Sequence, residues 1–301
     1  MNKVQFRNSI LLFLTAVLWG MAFVAQSAGM DYVKPFTFNG IRSIIGGLVL
    51  IPCIMVIRKC KGKREGQKSI QPIVTKTEFI GGICCGLALF VASSLQQFGI
   101  VYTTVGKAGF ITALYVVLVP ILGLFMRKRV SFVIWICVTL SVVGLYLLCM
   151  TEGAIRLQLG DALVLICAVV FSIHILVIDY FSPRGDGVVI SCIQFLTCGV
   201  LSIAGIIFEQ PEIANIMAAK WSILYAGVLS CGVGYTLQVV GQKDVNPTVA
   251  SLILCLESVV AMLGGWLILG EKLSSRQTLG CVLMFGAIVM AQLPIANKKT
   301  C

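Results

Sequence analysis

The chain has 301 residues, of which 58% are of the apolar types AVILMFWYC and only 12% are charged, with a formal net charge of +11. A soluble domain carries about a quarter of its residues as charges, so this composition excludes ordinary soluble domains and puts the chain in lipid. The excess of Lys and Arg does not point to nucleic acid, because no polar stretch is long enough to build a soluble basic face.

Apolar runs of about 20 residues, the length that crosses a bilayer as a helix, recur from end to end. The breakers between them predict ten spans. The first covers 8–28 and carries Trp19. Lys3, Arg7 and Ala25-Gln26-Ser27 give it a loose likeness to a signal peptide, but cleavage would leave nine spans and unpair the two halves described below. The second, 35–57, holds Arg42 a third of the way along. A charge at mid-bilayer costs roughly 2.5–3.5 kcal/mol on insertion scales. Arg42 is therefore read as a structural residue paired with a carboxylate or helix-end carbonyls, with a substrate carboxylate as the alternative. The third span, 79–102, contains Gly82 and Gly86, a GxxxG that lets helices approach closely, and Gln96. The fourth, 105–126, carries Tyr115, and the fifth is 130–150.

A polar connector, 151–156, leads into the sixth span, 159–180. It holds His174, the only histidine, for which a proton relay and a hydrogen-bonded neutral imidazole both stand. The seventh span is 187–208. The eighth, 221–240, carries Gly232 and Gly234, Tyr235 and Gln238, and the glycines are its candidate hinge. The ninth, 247–269, holds Glu257 ten residues in, near mid-bilayer. A carboxyl there is either a proton carrier or amine counter-charge, or a structural group bonded to a neighbouring helix. Glu271 follows in the loop before the tenth span, 274–293, and is read with Arg42, Gly82 and Gly86 as structural or charge-pairing. Most of the thirteen cysteines lie inside spans and none forms a CxxC, so no metal site, disulfide framework or cofactor is expected.

The two halves repeat. Leu95-Gln96 and Leu237-Gln238, Gly99 and Gly241, Ala108 and Ala250, Ile111 and Ile253, Gly123 and Gly265, and Gly144 and Gly286 are each 142 positions apart. The units are 1–150 and 151–301, each with five spans. Five is odd, so the second copy enters the bilayer inverted, an architecture common in secondary transporters. The fold expected is therefore an all-α integral membrane protein, ten transmembrane helices in two inverted five-helix repeats. With the N-terminus inside, sixteen of the Lys and Arg residues fall on the cytoplasmic side and six on the other, the remaining one being Arg42. Both termini are then cytoplasmic, in a cell membrane.

Several segments carry a resemblance. Trp19-Gly20, Phe38-Asn39-Gly40-Ile41-Arg42, the run from Leu95 to Thr104, and Ala108 through Pro120 are similar to the first half of the EamA branch of the drug/metabolite transporter superfamily. Ala250 through Val260, followed by Gly265 through Ser274 with its Gly270-Glu271, resembles that family's ninth helix and glycine-glutamate loop. Ser258 stands where the family usually has proline, and Arg127-Lys128-Arg129 where many relatives carry a glutamate. The resemblance implies ten helices, a central cavity between spans 1, 3, 4 and 6, 8, 9, and transport of small metabolites.

Gln96 and Gln238 share a repeat position, and inversion brings such residues around one axis. With Trp19, Tyr115 and Tyr235 they would line an aromatic and amide-rich cavity for zwitterions or neutral polar metabolites, the alternative being bonds between helices. His174 and Glu257 complete the candidate substrate-binding set. No HExxH, GxSxG or glycine-rich loop ending in Lys-Ser/Thr is present, so the chain is expected not to be an enzyme. The expected activity is alternating-access transport of small amino-acid-like or other polar organic solutes, read as export. A proton or counter-substrate would drive it, and the chain would act as a monomer or homodimer. The rivals are a membrane-embedded enzyme acting on lipid-linked substrates and a channel or scramblase-like pathway.

Overall fold

A computed structural model describes residues 3–65, 74–103, 105–126, 130–149, 159–243, 245–261, 263 and 274–292. Among them the chain is helical and contains no strand. The connector 151–156, Arg127-Lys128-Arg129, Gly264-Gly265 and Glu271 lie outside the described residues.

The first half runs through α1 (Lys3–Met30), α2 (Pro35–Glu65), α3 (Lys76–Tyr102), α4 (Val105–Ala113), α5 (Tyr115–Phe125) and α6 (Phe132–Cys149). The second runs through α7 (Leu159–Phe181), α8 (Gly187–Glu209), two short helices α9 (Ile213–Ala218) and α10 (Lys220–Leu224), a π-helix (Tyr225–Tyr235), α11 (Thr236–Gly241), α12 (Pro247–Leu254) and α13 (Ser275–Gln292). Among the described residues seven helices are long and apolar enough to cross a membrane, and three shorter apolar ones cover Phe132–Leu147, Pro247–Ala261 and Ser275–Ala291. Large apolar side chains lie exposed on the outer faces, among them Leu48, Val56, Phe125, Phe132, Phe208 and Val289. Such a surface is stable against acyl chains and costly in water.

Contacts between the halves come in matched pairs. α2 packs on α8 and α6 on α13, each a segment against its repeat counterpart, and α5 packs on α12, so that parts of the fourth span and of its counterpart, the ninth, also meet. α3 packs on α7, and its mate is α1 against the π-helix and α11; α3 on α8 is mirrored by α2 on the π-helix. A pseudo-two-fold relation between the repeats generates this pattern.

Glycines set how closely these pairs approach. A Cβ on Gly82 would lie 2.4 Å from the Ile193 Cβ, and one on Gly86 2.6 Å from the Thr197 Cβ, so the GxxxG of α3 seats directly on α8. A Cβ on Gly46 would lie 2.7 Å from the Cys231 Cβ, and one on Gly227 3.0 Å from the Arg42 carbonyl oxygen, which locks α2 against the π-helix.

Two carboxylates fasten helix starts. Glu209, at the end of α8, accepts from Phe36 N at 2.9 Å, from Thr37 N at 2.6 Å and from Thr37 Oγ1 at 2.6 Å, capping α2. Glu78 closes a capping box with Thr75 at the start of α3 and also accepts from Asp186 N, the N-cap of α8, at 2.8 Å.

Three spans that read as continuous are interrupted. The fourth breaks at Leu114, between α4 and α5, and the ninth at Cys255-Leu256, after α12. Leu114 and Leu256 are 142 positions apart, so the two breaks occupy one repeat position. The second break occurs without the proline that Ser258 replaces: Leu256 N bonds to Ile253 O and Ser258 N to Cys255 O, tightening the turn in 3₁₀ fashion. In the eighth span the interruption is the π-helix, which contains Gly227, Gly232 and Gly234.

Candidate functional site

The interruptions converge on one cavity. α1 brings Trp19, Ala22, Phe23 and Gln26, spaced i, i+3, i+4 and i+7 so that one helix face meets it. α2 supplies Arg42 and α3 supplies Gln96. The break between α4 and α5 delivers Thr112 and Tyr115, and the equivalent break after α12 delivers Glu257. α7 contributes Phe171 and Ile175, and the π-helix with α11 contributes Ser230, Tyr235 and Gln238. Together they line a narrow cavity that is partly open to the surroundings.

At its centre the Tyr115 hydroxyl donates to Glu257 Oε1 at 3.1 Å, both residues being buried. Tyr115 and Glu257 are themselves 142 positions apart. The bond therefore joins a residue to its own repeat counterpart and lies on the pseudo-two-fold axis. Backbone packing holds it in place: a Cβ on Gly20 would come within 2.5 Å of the Glu257 carbonyl oxygen, so α1 leans directly on the broken helix.

Trp19 packs on Tyr235 with ring centroids 4.4 Å apart and planes tilted by 50°, and Phe195 meets Tyr235 edge-on at 5.2 Å. A Cβ on Gly234 would lie 2.9 Å from the Trp19 indole nitrogen, so only a glycine admits the ring there. Gln96 Nε2 donates to Thr112 Oγ1 at 3.2 Å. Three lining side chains each keep a buried polar atom with no partner among the described residues: Trp19 Nε1, Gln26 Oε1 and Gln238 Oε1. Such atoms cost about 1–3 kcal/mol each when left bare, so a polar molecule in the cavity is favoured by every bond it returns.

Six of the seven residues singled out as solute-facing, Trp19, Gln96, Tyr115, Tyr235, Gln238 and Glu257, thus meet in one cavity. His174 does not join its lining. It is fully buried between α7 and α8, its Nε2 at 3.1 Å from Gln194 Oε1 and its ring at 6.1 Å from Tyr235, behind the aromatic wall. Arg42, read as a structural residue, does line the cavity. Gln26, Thr112 and Ser230 were missed. Gln26 was recoverable from sequence, since it stands two helical turns from Trp19 on the same face; Thr112 and Ser230 carry no such signal.

The model of the EamA-like transporter family matches residues 7–150 and 158–292. An uncharacterized transporter of Archaeoglobus fulgidus is 29% identical over 290 residues, covering 94% of this chain and 85% of that one. The uncharacterized transporter YoaV of Bacillus subtilis is 23% identical over 292 residues, covering 94% of this chain and 96% of its own. A protein of known crystal structure superposes with a TM-score of 0.77 at 19% identity, covering 97% of this chain and 98% of that one, which bears on the fold alone.

Proposed function

The chain belongs to the EamA-like transporter family, and we propose that it carries small amino-acid-like or other polar, partly apolar organic solutes out across the cytoplasmic membrane by alternating access. The observation that carries the reading is the cavity where two equivalently broken helices meet, with aromatic walls and buried polar atoms that lack protein partners. Discontinuous helices at the interface of inverted repeats are the usual place for a solute in such carriers. Amide groups at Gln96 and Gln238 can both donate and accept, and the Trp19–Tyr235 pair offers apolar ring surface, a combination suited to a solute with a polar head and an apolar body. Glu257, a carboxyl on the axis between the repeats, is the candidate for coupling to a proton or a counter-substrate.

The test is uptake into proteoliposomes loaded with single amino acids or amines, combined with single cysteines at 96 and 238 in a background cleared of native cysteines. Transport should saturate and show counterflow. A small polar thiol reagent should modify both cysteines, and the transported solute should protect both. Unsaturable flux indifferent to solute on the far side indicates a channel, and failure of the reagent to reach either position in any condition puts the site elsewhere.

A further inference from the structure

Arg42 is a buried guanidinium, 6% exposed, on the wall of an intramembrane cavity, and its environment is unusual for such a group. Its Nε donates to Asn39 Oδ1 at 3.2 Å, and its cationic carbon lies 5.5 Å from the Phe38 ring centroid. Among the described residues no carboxylate pairs with it, and its two terminal nitrogens make no hydrogen bond. The carboxyl that shares the cavity, Glu257, is bonded to Tyr115 instead. An uncompensated cation in this position is costly, and a residue that lines a cavity with its fork unspent is arranged to receive an anion from the cavity side.

The network behind Arg42 fixes its aim. Asn39 Nδ2 donates to Ser93 Oγ at 2.9 Å, with Ser94 Oγ at 3.5 Å and Cys198 Sγ at 3.9 Å close by. Its amide nitrogen is thereby committed to α3 and α8, and its oxygen is left to hold Arg42 Nε. The Arg42 backbone is pressed against the π-helix at Gly227, which restricts the side chain further. The edge of the guanidinium formed by its two terminal nitrogens matches the spacing of two carboxylate oxygens.

We infer that Arg42 is the seat for a carboxylate on the transported solute, that Asn39 is its positioning residue, and that the amino group of the same solute turns toward the Tyr115–Glu257 pair. A solute with one acid and one amine then brings no net charge into the bilayer, while its remaining body meets Trp19, Phe23, Phe171 and Tyr235. This rests on the cavity being the transport site, as proposed above.

The experiment compares each amino acid with its carboxamide, which keeps size and amine and removes only the anionic head. Binding to purified protein is read by thermal shift and competition. The acid should bind at least tenfold tighter than the amide; Arg42→Gln should erase that ratio, Arg42→Lys should keep part of it, and Asn39→Ala should reduce it. In the wild type, phenylglyoxal should modify Arg42, located by peptide mass, and the acid but not the amide should protect it. Equal binding of acid and amide, or a ratio that survives Arg42→Gln, overturns the assignment and leaves the carrier reading standing. Absence of binding and transport for every amino acid tested removes the solute class first and the carboxylate seat with it.

Discussion

At the scale of single residues, Glu257 is the group whose chemistry is easiest to isolate. Glu257→Gln keeps the shape and an oxygen to accept from Tyr115, yet removes ionisation. Gradient-driven transport in proteoliposomes should fall at least tenfold, while expression and melting temperature stay near wild type. Unchanged transport would leave only a structural role for the carboxyl. This residue and the five others that meet around it were legible in the sequence because polar and aromatic groups inside apolar runs are few and each demands a reason. The reading was less informative for Arg42 and His174. Both are costly ionisable groups in a span, and sequence alone does not say on which face of the helix each falls. The structure turns Arg42 to the cavity and His174 to Gln194. The deciding facts are long-range: Asn39 reaching Ser93, and Gln194 standing opposite His174 across two helices.

At the scale of elements, the spans were legible from apolar length, and their interruptions were not. Leu114 and Cys255-Leu256 carry no glycine or proline signal, and the π-helix from Tyr225 to Tyr235 has glycines that also suit an ordinary packed helix. What sets these breaks is contact with other elements: Gly20 against the Glu257 carbonyl and Gly46 against Cys231. A different element-level device, the Glu209 carboxylate over the start of α2, is testable as stability. Glu209→Ala leaves the backbone N–H groups of Phe36 and Thr37 without their acceptor, and should cost about 0.5–2 kcal/mol, the range for loss of a helix cap. A lowered melting temperature in detergent, with solute affinity retained, is the expected outcome; an unchanged one would mean that water replaces the cap at no cost.

At the scale of the whole molecule, the 142-residue offset was the most informative feature of the chain, because it tied remote segments together before any contact was known. The matched contacts α2 on α8 and α6 on α13 are its physical counterpart. Orientation in the membrane follows from the basic residues, and is checked by reporter fusions or cysteine labelling. Positions near Lys63 and Lys298 should report from the cytoplasm and those near Arg156 and Lys272 from the opposite side, since an odd number of expected spans, the third to the fifth, lies between Lys63 and Arg156. Labelling of the Lys63 and Arg156 regions from one side would overturn the inversion. The place of Tyr115 and Glu257 on the pseudo-symmetry axis has a mechanical meaning. When two inverted repeats trade conformations, every contact between a residue of one half and a non-equivalent residue of the other is replaced by its mate, so such contacts must break and re-form. A contact between two equivalent positions maps onto itself under that trade. Under the alternating access proposed above, the Tyr115–Glu257 bond would therefore persist from one end of the cycle to the other, a fulcrum about which the gates turn and not a gate itself.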